Sequence, residues 1–196
     1  MKIFYKIFII IIFSSFVSHS FAKDPSEFIS EITNAASDIL KEDISTNQKA
    51  EKLIVIAENT VDIDGIGLYS LGKYRKSISE EQLNKYKNLF RTYFLKSFSS
   101  RLSQYSDPKI DVISQNVVNE KYTIVSSILI ETSERPEIKI DWRVYTKDQN
   151  KPLIRDLIIE GLSLARTQKE EFKSIIQNNN GDIDALFKSL EEFIIK

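Results

Sequence analysis

Along this chain the apolar positions recur first at steps of three and four, then alternate, then return to three and four. Asp24 and Pro25 open a first helix, with Glu27 completing a capping box and Phe28, Ile32, Ala35 or Ala36, and Ile39 on one face. A second helix is predicted from about Thr46 to Asn59, with Leu53, Ile54 and Ala57 inward. After the segment "DIDGIGLYSLGKYRK" comes the longest helix, started by a capping box of Ser79 and Gln82. Its stripe of Leu83, Tyr86, Phe90, Tyr93, Phe94, Phe98, Leu102 and Tyr105 is aromatic nearly throughout.

The period then becomes two. Ile110 to Val117, Tyr122 to Glu131, Glu137 to Thr146 and Leu153 to Ile159 read as strands. The gaps between them are too short for a crossover helix, so the strands form an antiparallel meander. In the third strand Ile138, Ile140, Trp142 and Val144 share a buried face, and Lys139, Asp141 and Arg143 a wet one. Two helices, Leu162 to Gln177 and Asp182 to Ile195, close the chain across "NNNGD", a helix stop followed by a cap. The pattern predicts an α+β fold: a helical N-terminal half, a four-stranded antiparallel meander and two C-terminal helices.

Residues 1–22 stand outside this pattern. Lys2 and Lys6, the apolar run Ile7 to Val17 and the exit Ser20-Phe21-Ala22 form a cleaved export signal, which leaves residues 23–196 as one domain without linker or repeat. Cleavage also removes the only Met and the only His. Taking Lys2 and Lys6 from the 27 basic residues leaves 25 against 28 acidic ones. A mature chain without His or Cys excludes Ser-His-Asp and Cys-His catalysis and the usual zinc ligands, and it must fold without disulfides. The mixed, near-neutral charge excludes a nucleic-acid partner.

Two stretches imitate calcium loops and fail. With Gly65 at position 6 of such a loop, Thr60 and Leu71 occupy its first and last liganding positions; around Gly181 these are Ile176 and Phe187. No metal or other cofactor is expected. Among the carboxylates, Asp141, Asp156 and Glu160 lie on neighbouring strands, and Asp156 interrupts an apolar run, which makes it either outward-facing or buried and hydrogen-bonded.

Three segments, taken in order, carry a family resemblance. They are "DIDGIGLYSLGKYRKSISEEQLNKYKNLFRTYFLKSFSSRL", "IKIDWRVY" and "DLIIEGLSLARTQKEEFKSIIQNNNGDIDALFKSL". Leu71-Gly72 with Tyr74, Ser79 with Gln82, the aromatic helix, and Asp156, Glu160, Gly161 and Ser163 resemble the MlaC, or toluene-tolerance, family of periplasmic phospholipid-binding proteins over about residues 26–192. The chain departs from the family at Pro152 and Arg155, where a Trp and a Tyr are usual, and at Gln168, where an Arg is common.

The resemblance implies a periplasmic carrier, with no catalytic residue, that moves diacyl phospholipid between the outer membrane and an inner-membrane ABC transporter. Its implied partners are that transporter complex and an outer-membrane lipoprotein-porin complex, each docked transiently by a monomer. Two acyl chains hold about 30 methylenes, so leaving them in water would cost roughly 24 kcal/mol at ~0.8 kcal/mol each. A carrier must therefore enclose them in a hydrophobic pocket. The expected helical lining is Leu68, Leu71, Tyr74, Phe90, Phe94 and Phe98. The expected sheet lining is Ile128, Ile140, Trp142 and Val144, with Leu153, Leu157 and Ile159, or the opposite set Ile154 and Ile158. Leu162 and Leu164 would carry the last part across the mouth. On the residues alone two other readings stay open: a small-pocket enzyme using Asp141 or Asp156, and a structural adaptor with a solid core.

Overall fold

The computed structural model describes residues 23–133 and 135–196; the export signal expected over 1–22 lies outside the described residues. Six helices and five strands follow in the order α1 (Pro25–Lys41), α2 (Thr46–Thr60), α3 (Ile63–Leu71), a 3₁₀ turn (Gly72–Lys76), α4 (Glu80–Leu102), β1 (Ile110–Asn119), β2 (Tyr122–Leu129), β3 (Ile138–Tyr145), β4 (Leu153–Ile159), β5 (Leu162–Ser163), α5 (Leu164–Asn178) and α6 (Ile183–Ile195). The sheet runs β1-β2-β3-β4-β5, antiparallel throughout. The α+β class and the meander are as the pattern predicts, with one more strand.

That extra strand arises at Glu160-Gly161. Both residues have positive φ, 49° and 81°, as a two-residue type I′ hairpin requires, and the turn folds Leu162 back onto Ile159 and Ser163 onto Ile158. The last turn of alternation is therefore spent on a short strand, and α5 starts two residues later than its periodicity suggests. The capping boxes of α2 and α4 are both formed. On α1 the Asp24 carboxylate accepts from the Ser26 and Glu27 amides, without the reciprocal Glu27 contact of a capping box.

Two departures bear on packing. The buried face of α1 is Phe28, Ile29, Thr33, Ser37 and Leu40, rotated by about one residue from the expected Phe28–Ile32–Ile39 face. The rotation brings Phe28 and Ile29 onto the sheet, and Thr33 satisfies its hydroxyl on the Ile29 carbonyl at 2.9 Å. The second departure is α3, a helix in a glycine-bearing segment for which periodicity predicts no element. Asp62 caps it by accepting from the Gly65 amide, and Gly67 lets it approach α4: a Cβ there would stand 2.7 Å from the Phe90 ring. Tyr86 donates to the Gly67 carbonyl at 2.8 Å across the same contact.

The apolar interior divides in two. One cluster, from α3, α4, α5 and α6, is built on Ile66, Leu71, Tyr86, Phe90, Phe172, Ile176 and Phe187. The other joins Phe28 and Ile29 of α1 to Val125, Leu129, Ile140, Trp142, Val144 and Ile154 of the sheet. Val61 packs against both. The packing partners of α4 are α2, α3 and α6, with Phe172 of α5 reaching its rings, while α1, α3 and α5 are the helices packed on the sheet.

Candidate functional site

The inner face of the sheet is defined by its register. Val125, Trp142 and Leu157 lie opposite one another across β2, β3 and β4, and Ser127, Ile140, Ile159 and Leu162 form the next row across to β5. The polar groups in this wall are satisfied within it. The Trp142 indole donates to Ser127 Oγ at 2.8 Å, and that hydroxyl donates to the Ile140 carbonyl at 3.1 Å, so neither polar group of these rows is left unpaired. Burial falls along the rows: Trp142 is 9% exposed, Leu157 and Ile159 are half-buried, and Leu162 is 60% exposed. An apolar surface thus continues past the helices that cover its centre.

The helical wall shows a similar gradient. In α4, Tyr86 and Phe90 are sealed, whereas all six residues from Tyr93 to Phe98 are half-buried. Phe94 and Phe98 stack with ring centroids 6.0 Å apart and planes within 10°. Tyr93 donates to Gln168 at 2.8 Å, and burial, reinforced by nearby Glu171, raises its phenol pKa. Half-burial on every side of a helix fits neither a core helix nor a solvated one.

Of the expected lining residues, Leu71 and Phe90 lie inside the helical cluster, with Tyr74 and Phe94 against its flank. Ile140, Trp142 and Val144 belong to the sheet cluster, with Leu157 at its margin. Leu68, Phe98, Ile159, Leu162 and Leu164 belong to neither cluster and are half-buried or exposed. Ile128 stands apart. It pairs with Asp111 and Lys139 on the outer, polar face, because inward positions on β2 are the odd-numbered ones from Thr123 to Leu129. Phe28 and Ile29, absent from the expected lining, cover the sheet; periodicity places Phe28 on the inward face of α1 but misses Ile29, which the one-residue rotation brings in.

Asp156 resolves as buried and hydrogen-bonded. It accepts from Ser163 Oγ at 2.6 Å and from the Ala165 amide at 2.9 Å, while Ser163 Oγ in turn accepts from the Arg166 amide. Together they hold the first turn of α5 onto β4. Glu160 accepts from the Lys139 amide at 2.5 Å, and Asp141 accepts from Ser126 Oγ at 2.6 Å with Lys139 3.6 Å away. All three candidate carboxylates are engaged in structural contacts. The metal-loop imitations are helix caps: Asp62 starts α3, and Asp182 starts α6 after a reversal at Asn180 and Gly181. Among the described residues no group of His, Cys, Asp or Glu is placed to hold a metal ion, and no helix is long and apolar enough to cross a membrane.

Arg155 occupies a β-bulge, the extra residue between the Arg143–Asp156 and Val144–Ile154 pairs. Its guanidinium donates to Asp62 at 2.5 Å and to the Tyr122 hydroxyl at 2.8 Å, and it stacks 3.5 Å from the Tyr145 ring centre. Burial opposes its charge, but the bonds to Tyr122 and Asp62 outweigh burial and raise its pKa. With the Val61–Ile154 bridge, this contact ties the helical layer to β4.

A comparison with curated proteins returns no match. Among solved structures, the chain is similar to a phospholipid-binding protein from Ralstonia solanacearum, determined in complex with a phospholipid. The TM-score is 0.75 at 17% identity, over 88% of this chain and 98% of that one. At that identity the likeness concerns the fold. The family described as MlaC protein matches residues 30–192, nearly all of the described chain, and this chain therefore belongs to the MlaC family.

Proposed function

We propose that this protein is a periplasmic carrier that holds a diacyl phospholipid between the inner face of the sheet and the second half of α4, and shuttles it between the outer membrane and an inner-membrane ABC transporter. The single observation that carries the reading is the placement of α4. Its half-buried aromatic stretch, Tyr93 to Phe98, packs with other helices while the sheet row that begins at buried Ile140 becomes incompletely covered at Ile159 and Leu162. Two apolar walls that each keep surface available can separate to admit hydrocarbon without breaking either cluster. Family membership and the phospholipid found with the structural neighbour support the same ligand class. The occupation of Asp141, Asp156 and Glu160 by structural contacts favours a binding role over carboxylate catalysis.

The expected lining enters this proposal with one change of weight. Phe94, Phe98, Leu157, Ile159, Leu162 and Leu164 would touch acyl chains, with Ile140, Trp142 and Val144 beneath them, while Phe90 and Leu71 act mainly as helical core. The decisive measurement is organic extraction of the purified protein followed by lipid mass spectrometry. Near-stoichiometric phospholipid is expected, and a folded protein that never carries lipid, from cells or after incubation with vesicles, overturns the reading. Phe94→Glu should abolish retention in a folded protein; retention unchanged in that variant would move the chamber elsewhere.

A further inference from the structure

The 3₁₀ turn and α5 bring cations together outside the set of residues proposed to touch acyl chains. Lys73, Arg75, Lys76 and Lys169, with Tyr69 and Gly72, line an open recess of about 320 Å³. Rings seat two of the ammonium groups: Lys169 lies 5.1 Å from the centre of Tyr69, and Lys73 lies 5.4 Å from that of Tyr74. Arg75 is oriented by one bond, from Nη1 to the Leu68 carbonyl at 3.1 Å, which leaves other guanidinium donors available. Gly72 holds φ 60° and ψ −130°, a conformation suited to glycine, and a Cβ there would stand 3.3 Å from the Lys169 stem. The absence of a side chain at Gly72 thus leaves Lys169 room to lie across the turn.

Among the described residues, none of these four cations has a carboxylate within 4.0 Å, although the chain carries more acidic than basic residues. Like charges gathered from two elements repel unless an anion joins them. The recess is concave and small, which suits a compact anion with several oxygens better than the broad face of an acidic protein.

We infer that this recess binds a phosphate group, of the kind presented by a phospholipid head at a membrane surface or by a small phosphate ester. Amide NMR of the full mature protein titrated with inorganic phosphate and with glycerol phosphate, at constant ionic strength, tests the soluble source. Flotation with phosphatidylglycerol vesicles, against phosphatidylcholine vesicles, tests the membrane source. The variant is Lys73→Gln/Lys76→Gln/Lys169→Gln, which removes three charges, keeps polar side chains and leaves Arg75 on Leu68. Shifts confined to residues near 69–76 and 165–170, and about a tenfold loss of affinity for each cation removed, are expected. Loss toward both probes in the variant supports a site that serves lipid heads; loss toward soluble phosphates alone supports a phosphate ester; loss toward vesicles alone supports a membrane-docking site. If neither probe distinguishes the variant from the wild type, or if the shifts scatter over the surface, the inference is overturned, and an acidic protein partner becomes the better account of the cations. Lipid extracted from the same variant should be undiminished, so this outcome separates from any failure of the carrier reading.

Discussion

In the first half of α4, Tyr86 and Phe90 are sealed against Phe172, with Phe90 edge-on at 6.1 Å, and the Tyr86 hydroxyl is bonded to Gly67. In the second half, Phe94 and Phe98 have the same chemistry and spacing yet stack on each other and stay half-buried. The neighbours make the difference. The first half has α3 drawn close by a glycine at Gly67, whereas Tyr93, Phe94 and Leu95 only flank the helical cluster, with Tyr93 against Phe172 and Phe193, and Phe98 lies outside it. One stripe is therefore sealed at one end and left half-covered at the other, the end proposed to meet the lipid.

The largest effect that would test this contrast is expected at Phe90. Phe90→Ala should lower stability by about 3–5 kcal/mol in urea unfolding, since its cavity lies among rings that cannot collapse. Lipid content, measured on the variant that remains folded, should change little. Gly67→Ala should cost about 1–3 kcal/mol by forcing a Cβ into the Phe90 ring, and Phe90→Leu should relieve part of that cost in a double-mutant cycle.

A comparable loss is expected at the β4–α5 junction. Asp156→Ala strands the Ser163 hydroxyl and the Ala165 amide, for about 1–3 kcal/mol, and hydrogen exchange should rise in the first turn of α5 before the rest of that helix. Phe98→Ala should reverse the Phe90 pattern. Stability should fall by about 1 kcal/mol or less, since the ring is only partly removed from water, while phospholipid retention falls measurably. Equal stability losses at Phe90 and Phe98 would erase the distinction drawn between the two halves.

The smallest effect concerns the chain's described beginning. The bond from Gln115 and the amide of Glu27 hold the Asp24 carboxyl below its ordinary 3.8. A lowered folded pKa adds stability at pH values above the ordinary one, and that contribution fades as pH falls through the folded value. Wild type should thus lose slightly more stability below about pH 4 than Asp24→Asn does, by thermal melting across that range.

Much of this protein can be read from residue order alone. Periodicity specifies every helix but α3, the four-stranded meander and the wet face of β3, because a helix or strand must bury one side and the spacing of Trp142 with Ile140 and Val144 leaves one choice of side. The lack of His and Cys in residues 23–196 removes whole chemistries without any coordinates. Other features depend on contacts remote in sequence. A local pattern cannot reveal that Gly67 and Phe90 must interlock, so α3 escapes it; nor can it reveal that α1 buries Ile29 more deeply on the sheet than Ile32, or that Asp156 reaches forward to hold Ser163. The division of one aromatic stripe into a packed half and an open half is likewise tertiary, since burial is set by what arrives opposite a side chain rather than by the side chain itself.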